Sequence, residues 1–209
     1  MLISMLFSNP MLFFSIIPVL IFSFVVHEYA HAYAAYKLGD GSQRYKGRMS
    51  LDPRRHLDPV GFLMLITVGF GWAKPVEVNP YAFKKPERDN KIVAFAGPLS
   101  NFVMAFILTG IYVYLAGNQY LSALMLTVLV WGIRVNLMLM SFNLIPLPPL
   151  DGSKIFLPRR VLYQLEANYE ILRIVFLILI FSNTLGQFII LPASNFVSSM
   201  FLTFFEMVM

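Results

Sequence analysis

Several long stretches of this chain carry no charged side chain: residues 1–26, 92–117, 118–133 and 174–205 contain no Asp, Glu, Lys or Arg. A helix that crosses a bilayer needs about 20 mostly apolar residues, and only helices or closed barrels satisfy their backbones in hydrocarbon. Composition supports the same reading, with 58% of the 209 residues hydrophobic and 13% charged; soluble domains run at about half and about a quarter. The chain reads as an all-α polytopic membrane protein with about 4–5 transmembrane helices. Residues 1–26 lack a basic leader region and a small-residue cleavage site, so they read as retained rather than as a secretory signal. The net charge of +5 lies in short loops beside the apolar runs, where it sets topology. That placement argues against a nucleic-acid partner.

The spans are expected at about 11–38, 92–117, 121–145 and 171–192, with Gly39 ending the first and the 117–120 connection making the second and third antiparallel neighbours. Between the first two spans, Arg44, Lys46, Arg48 and Ser50 alternate with Tyr45, Gly47, Met49 and Leu51, the period of a strand. A partner at 72–78, weakened by Pro75, completes a small β hairpin. Residues 59–73 are uncharged but hold three glycines and a proline, and basic residues flank them on both sides: Arg54 and Arg55 before, Lys74, Lys84 and Lys85 after. Flanks of one kind make this a re-entrant segment rather than a span. An amphipathic segment is expected at 155–169 and a short last helix at 195–209, the whole of 1–209 forming a single intramembrane domain.

His27-Glu28-Tyr29-Ala30-His31 is an HExxH pattern. On a helix its spacing puts both imidazoles on one face, one turn apart, as two ligands of a tetrahedral metal, and leaves the carboxylate beside them as a general base. The competing reading is polar side chains that only bridge helices. A carboxylate in an apolar helix is costly, on the order of 2–3 kcal/mol, which favours function. With no cysteine in the chain, the third ligand must be His56 or an acidic residue. Asp151 is the best placed of these, because the prolines of Asn143–Gly152 stop the helix and Gly152 permits a sharp turn.

HEYAH, GPLSN at 97–101 and NLIPLPPLDG at 143–152 together resemble the ordered motifs of the site-2 protease family of intramembrane zinc metalloproteases. GRMSLDPRRHLDPVG and FGWAKPVEVNP are similar to its compact prokaryotic branch without PDZ or CBS domains. The resemblance implies one zinc per chain on His27, His31 and Asp151, Glu28 as catalytic base, and Asn143 near the substrate. It also implies a multi-pass protein of a prokaryotic cell membrane that cuts membrane-protein or peptide substrates in or near their transmembrane segments. The alternative is a zinc-binding membrane protein without proteolysis.

Topology tests the metal site independently. If 59–73 turned into a span, Asp151 would emerge about 30 Å of hydrocarbon away from His27 and His31. The site therefore requires the re-entrant reading, with the catalytic centre toward the cytoplasmic side. Gly97, Pro98 and Asn101 are candidate substrate contacts: the proline leaves a carbonyl without its helical donor. The alternatives are a kink at Pro98 and helix bridging by Asn101, as for Asn136. Asn143 is placed to donate to an oxyanion or a substrate carbonyl. His56 reads as a structural hydrogen bond, and Arg134 stands without a nameable partner inside the third span, where the family pattern does not place a charge.

Overall fold

A computed structural model describes residues 2–68, 71–117, 122–182 and 184–208. The chain opens with α1 (Leu2–Ser8) and the long helix α2 (Pro10–Lys37). Asn9 caps α2, its carboxamide oxygen accepting from the Leu12 amide at 3.1 Å, and Pro10 starts it without wasting a donor. Gly39 then adopts φ 118°, a conformation closed to most side chains, and turns the chain out of the helix. Short helices α3 (Ser42–Tyr45) and α4 (Pro53–His56) precede α5 (Pro59–Val68). After an extended stretch come α6 (Pro86–Gly117) and α7 (Ala123–Asn143). The C-terminal part is α8 (Asp151–Phe156), α9 (Arg159–Ala167), α10 (Tyr169–Phe181) and α11 (Leu191–Val208), the last preceded by a wide turn of helix at Gly186–Ile190.

Four helical stretches are long and apolar enough to cross a membrane: Pro10–Lys37, Pro86–Gly117, Ala123–Asn143 and Gly186–Val208. The first three correspond to the expected spans. The fourth does not sit at 171–192. Helix α10 ends at Phe181, and the crossing helix begins at Gly186 and takes in the expected short helix at 195–209. Ser182, Thr184 and Gly186 are residues that favour turns, whereas hydropathy registers only the apolar side chains around them. Most of the 117–120 connection lies outside the described residues.

No strand forms among the described residues, which overturns the expected hairpin; Leu57 and Ala73 make an isolated antiparallel bridge. Local polar bonds take the place of a ladder. The Asp40 carboxylate accepts from the Ser42 amide, from Gln43 Nε2 and from the Asn79 amide, and this winds 42–45 into a helical turn. Arg48 then ties the neighbouring segments together by donating to the carbonyls of Arg55, Lys74 and Pro75. Pro75 has no donor to give a ladder.

Helix α5 is ten residues long, about 15 Å and half a bilayer. The Leu57–Ala73 bridge brings the two ends of this segment side by side. Gly61 and Gly71 permit the return: a Cβ on Gly61 would overlap the Trp72 carbonyl, and one on Gly71 would overlap that of Gly61. Helices α2, α6 and α7 pack together, Ile16 and Leu20 burying against Val135, while Ala105, Ile133, Leu137 and Met140 bury with Phe201 of α11.

Candidate metal centre

His27 and His31 lie one turn apart on α2, both buried, and face α6. Asp151 begins α8. Gly152 lets the chain fold back so tightly that a Cβ there would overlap the Leu144 and Ile145 carbonyls, and this brings the carboxylate under the two rings. Nε2 of His27 and Nε2 of His31 are 3.0 Å apart, and Asp151 Oδ2 lies 3.3 Å from the first and 3.1 Å from the second.

The far side of each ring decides what faces inward. His31 Nδ1 lies 2.7 Å from the Val93 carbonyl, which can only accept, so Nδ1 carries the proton and Nε2 presents a lone pair. His27 Nδ1 lies 2.6 Å from Asn101 Oδ1. Asn101 Nδ2 is engaged with Asn136 Oδ1 at 2.8 Å and the Ser23 carbonyl at 3.4 Å, which fixes the amide with its oxygen toward His27. Three lone-pair donors therefore converge with no hydrogen between them. A cation resolves that arrangement. With metal–donor bonds of about 2.0–2.1 Å, a tetrahedral site has donor–donor edges of about 3.3 Å, close to the three observed. The donor set of two imidazoles and a carboxylate suits zinc, and the buried acceptors behind the imidazoles are the outer partners such ligands require.

The neighbouring Glu28 has a buried Oε2 with no hydrogen-bond partner among the described residues. Glu28, both histidines and Asp151 line one cavity of about 630 Å³, whose remaining wall is largely apolar and includes Trp72, Val76, Met138, Phe142 and Phe176.

The sequence profile of Peptidase family M50 matches residues 15–127. This chain belongs to the M50, or site-2 protease, family. The Bacillus subtilis protein named "Putative zinc metalloprotease YwhC" is 42% identical over 187 residues, 84% of each chain. MJ0611 of Methanocaldococcus jannaschii carries the same designation and is 30% identical over 136 residues, 63% of each chain. So does Rip2 of Mycobacterium tuberculosis, 32% identical over 145 residues that make up 62% of this chain and 51% of its own. No solved structure gives a significant match. The M50 chain is a membrane zinc metalloprotease, which sets aside a non-proteolytic metal protein.

The other candidate residues of the M50 chain lie on α4, α6 and α7. Asn143 lines the cavity at the end of α7, one amide hydrogen donated to the Leu139 carbonyl at 3.0 Å. Gly97 faces the histidines directly: a Cβ there would stand 2.5 Å from His31 Cε1 and 2.7 Å from His27 Cε1. The missing side chain makes room for the two rings. Asn101 is fully buried behind His27, bridges α6 to α2 and α7, and is not among the described residues that line the cavity. Pro98 is also fully buried within α6. His56 stands apart from the donors, 2.6 Å from the Ser50 carbonyl, and burial pushes its imidazole below its ordinary value. The backing of His27 by the Asn101–Asn136–Ser23 set was not anticipated. Its signal was present as two asparagines inside apolar helices, where an unpartnered amide is expensive.

Proposed function

We propose that the M50 chain hydrolyses peptide bonds within or near transmembrane segments of membrane proteins, acting as a single intramembrane domain with its centre toward the cytoplasmic side. The observation that carries this reading is one cavity that holds three converging lone-pair donors and, beside them, a carboxylate oxygen of Glu28 with no partner among the described residues. His27, His31 and Asp151 hold one zinc ion. When bound, zinc supplies the Lewis acidity that makes a water acidic near neutral pH and draws charge off a carbonyl oxygen.

The protein's own groups do the rest. Glu28 Oε2 accepts the proton of the attacking water and returns it to the departing amine nitrogen. Asn143, on the same wall, has a second amide hydrogen to offer the carbonyl oxygen of the substrate. The apolar wall excludes bulk water and accommodates an unwound stretch of an apolar segment. Basic residues around the re-entrant segment, including Arg54, Arg55, Lys84 and Lys85, argue for the cytoplasmic side.

Purified chain reconstituted with a single-span reporter tests this. Glu28→Gln should retain stoichiometric zinc and lose cleavage by about 100-fold or more, while Asp151→Ala should lose the zinc itself. Cleavage at the wild-type rate by Glu28→Gln would refute the assignment.

A further inference from the structure

Helix α7 carries one charged residue, Arg134. It stands eleven residues after Ala123 and nine before Asn143, hence about 17 Å and 14 Å from the helix ends and close to mid-membrane. The other polar side chain in this part of α7, Asn136, is buried and bonded. Arg134 is exposed on the outer face of the bundle and has no hydrogen bond or ion pair among the described residues. Both ends of α7 lie farther off than an arginine side chain extends, so snorkelling along the helix does not bring the guanidinium to water.

The place of Arg134 is not arbitrary. Met138, one turn further on, is 43% exposed and lines the catalytic cavity, and Phe142, another turn on, lines it too. Positions 134, 138 and 142 form one stripe along a helix, running from the middle of the membrane into the site. A helix that delivers its end to the cavity from the lipid can lie along this stripe. A guanidinium in hydrocarbon is satisfied by a carboxylate, which it binds in a two-pronged fashion and which is itself expensive there when alone.

We propose that Arg134 is a specificity determinant that docks an acidic side chain, Asp or Glu, carried within the transmembrane helix of the substrate. This rests on the proteolytic reading of the cavity. It names a class of substrate: a single span with an acidic residue about nine helical positions from the segment at the level of Asn143, the spacing set by the 1.5 Å helical rise.

The test measures binding and so does not depend on turnover. Full-length Glu28→Gln protein is reconstituted in phosphatidylcholine vesicles with fluorescent single-span peptides bearing Asp, Asn or Lys at the guest position. Energy transfer should report at least tenfold tighter binding of the Asp peptide than of its Asn isostere. Arg134→Ala should bind the two equally, and Arg134→Glu should favour Lys. Equal binding of Asp and Asn peptides by the Arg134 protein, or a preference that survives in Arg134→Ala, would overturn the proposal. So would an Arg134-dependent dimer in cross-linking, or loss of the preference on adding phosphatidylglycerol, which would assign the guanidinium to a second copy or a lipid phosphate. Failure of wild-type protein to cleave any of these peptides, with the Asp preference in binding intact, would instead refute the protease reading alone.

Discussion

Placing a methyl group at Gly97 should disable the metal centre without touching a ligand. The new Cβ would stand 2.5 Å from His31 Cε1, whereas ordinary contact starts near 3.4 Å, so the ring must give way by about 0.9 Å. Neither ring is free to do so, because His31 is held by the Val93 carbonyl and His27 by Asn101. If α6 backs away instead, Val93 and Asn101 travel with it and both outer bonds lengthen. Metal–ligand distances tolerate about 0.2 Å, several times less than the shift required. Disturbing outer partners alone lowers metal affinity by about 10–100-fold. Moving a ring should therefore reach at least the upper end, about 100-fold or 2.7 kcal/mol. Competition against a chromophoric chelator on the purified chain measures this, with circular dichroism to verify the helices. Gly110→Ala is the control: on the same helix, its Cβ would meet the Phe205 ring at 2.8 Å, far from the donors, and zinc affinity should be unaffected. Wild-type zinc affinity in a folded Gly97→Ala protein would refute the reasoning.

Asn101→Ala should weaken zinc by about 10–100-fold in the same titration, because His27 loses the acceptor that fixes its proton on Nδ1. The same change orphans buried groups of Asn136 and Ser23, so the melting temperature should fall as well. Acid should loosen the loops around Asp40. Burial pushes that carboxyl up, but donation from the Asn79 amide, Ser42 and Gln43 outweighs it and holds it below its ordinary value. A carboxyl lowered in the folded state contributes stability that is present above its unfolded value, about pH 4, and is lost as pH falls through the folded one. Limited proteolysis of the 40–79 region should accelerate below about pH 4, and Asp40→Asn should cleave faster at pH 7 with a flatter acid dependence.

The spans and the three donors were legible because each leaves a local signature: an uncharged run of bilayer length, a histidine pair one turn apart, and an aspartate released by prolines. The basic residues on both flanks of 59–73 are what argue for a re-entrant segment there. Other features depend on partners distant in sequence. Alternating residues at 44–51 satisfy the pattern of a strand, but Asp40 and Asn79, which capture the neighbouring backbone, lie outside that window. A uniformly apolar stretch cannot mark its own break, so the division between α10 and the last crossing helix passed unseen apart from Ser182, Thr184 and Gly186. Gly97 read as part of a motif near a proline; only the packing of α6 on α2 shows the imidazoles beside it.

The polar residues of the three packed helices form an ordered account of donors and acceptors. Asn136 Nδ2 donates to Ser23 Oγ at 2.9 Å and to the Gly132 carbonyl at 2.9 Å. Its Oδ1 accepts from Asn101, whose own Oδ1 is then left for His27. Each amide has one orientation that leaves nothing unpaired, and the chain of choices ends at the imidazole proton of His27. Packing of α7 on α6 and α2 thus selects the tautomer that turns a lone pair toward Asp151. In water such bonds compete with solvent, whereas in an apolar bundle a wrong orientation leaves a buried group unmet at about 1–3 kcal/mol. The same helix that fixes this tautomer on its buried face presents Arg134 on its exposed one. A variant that rotated α7 would therefore disturb the metal site and the exposed arginine together, whereas Arg134→Ala removes a side chain with no partner among the described residues. That asymmetry separates an arginine kept for the fold from one kept for something that arrives through the membrane.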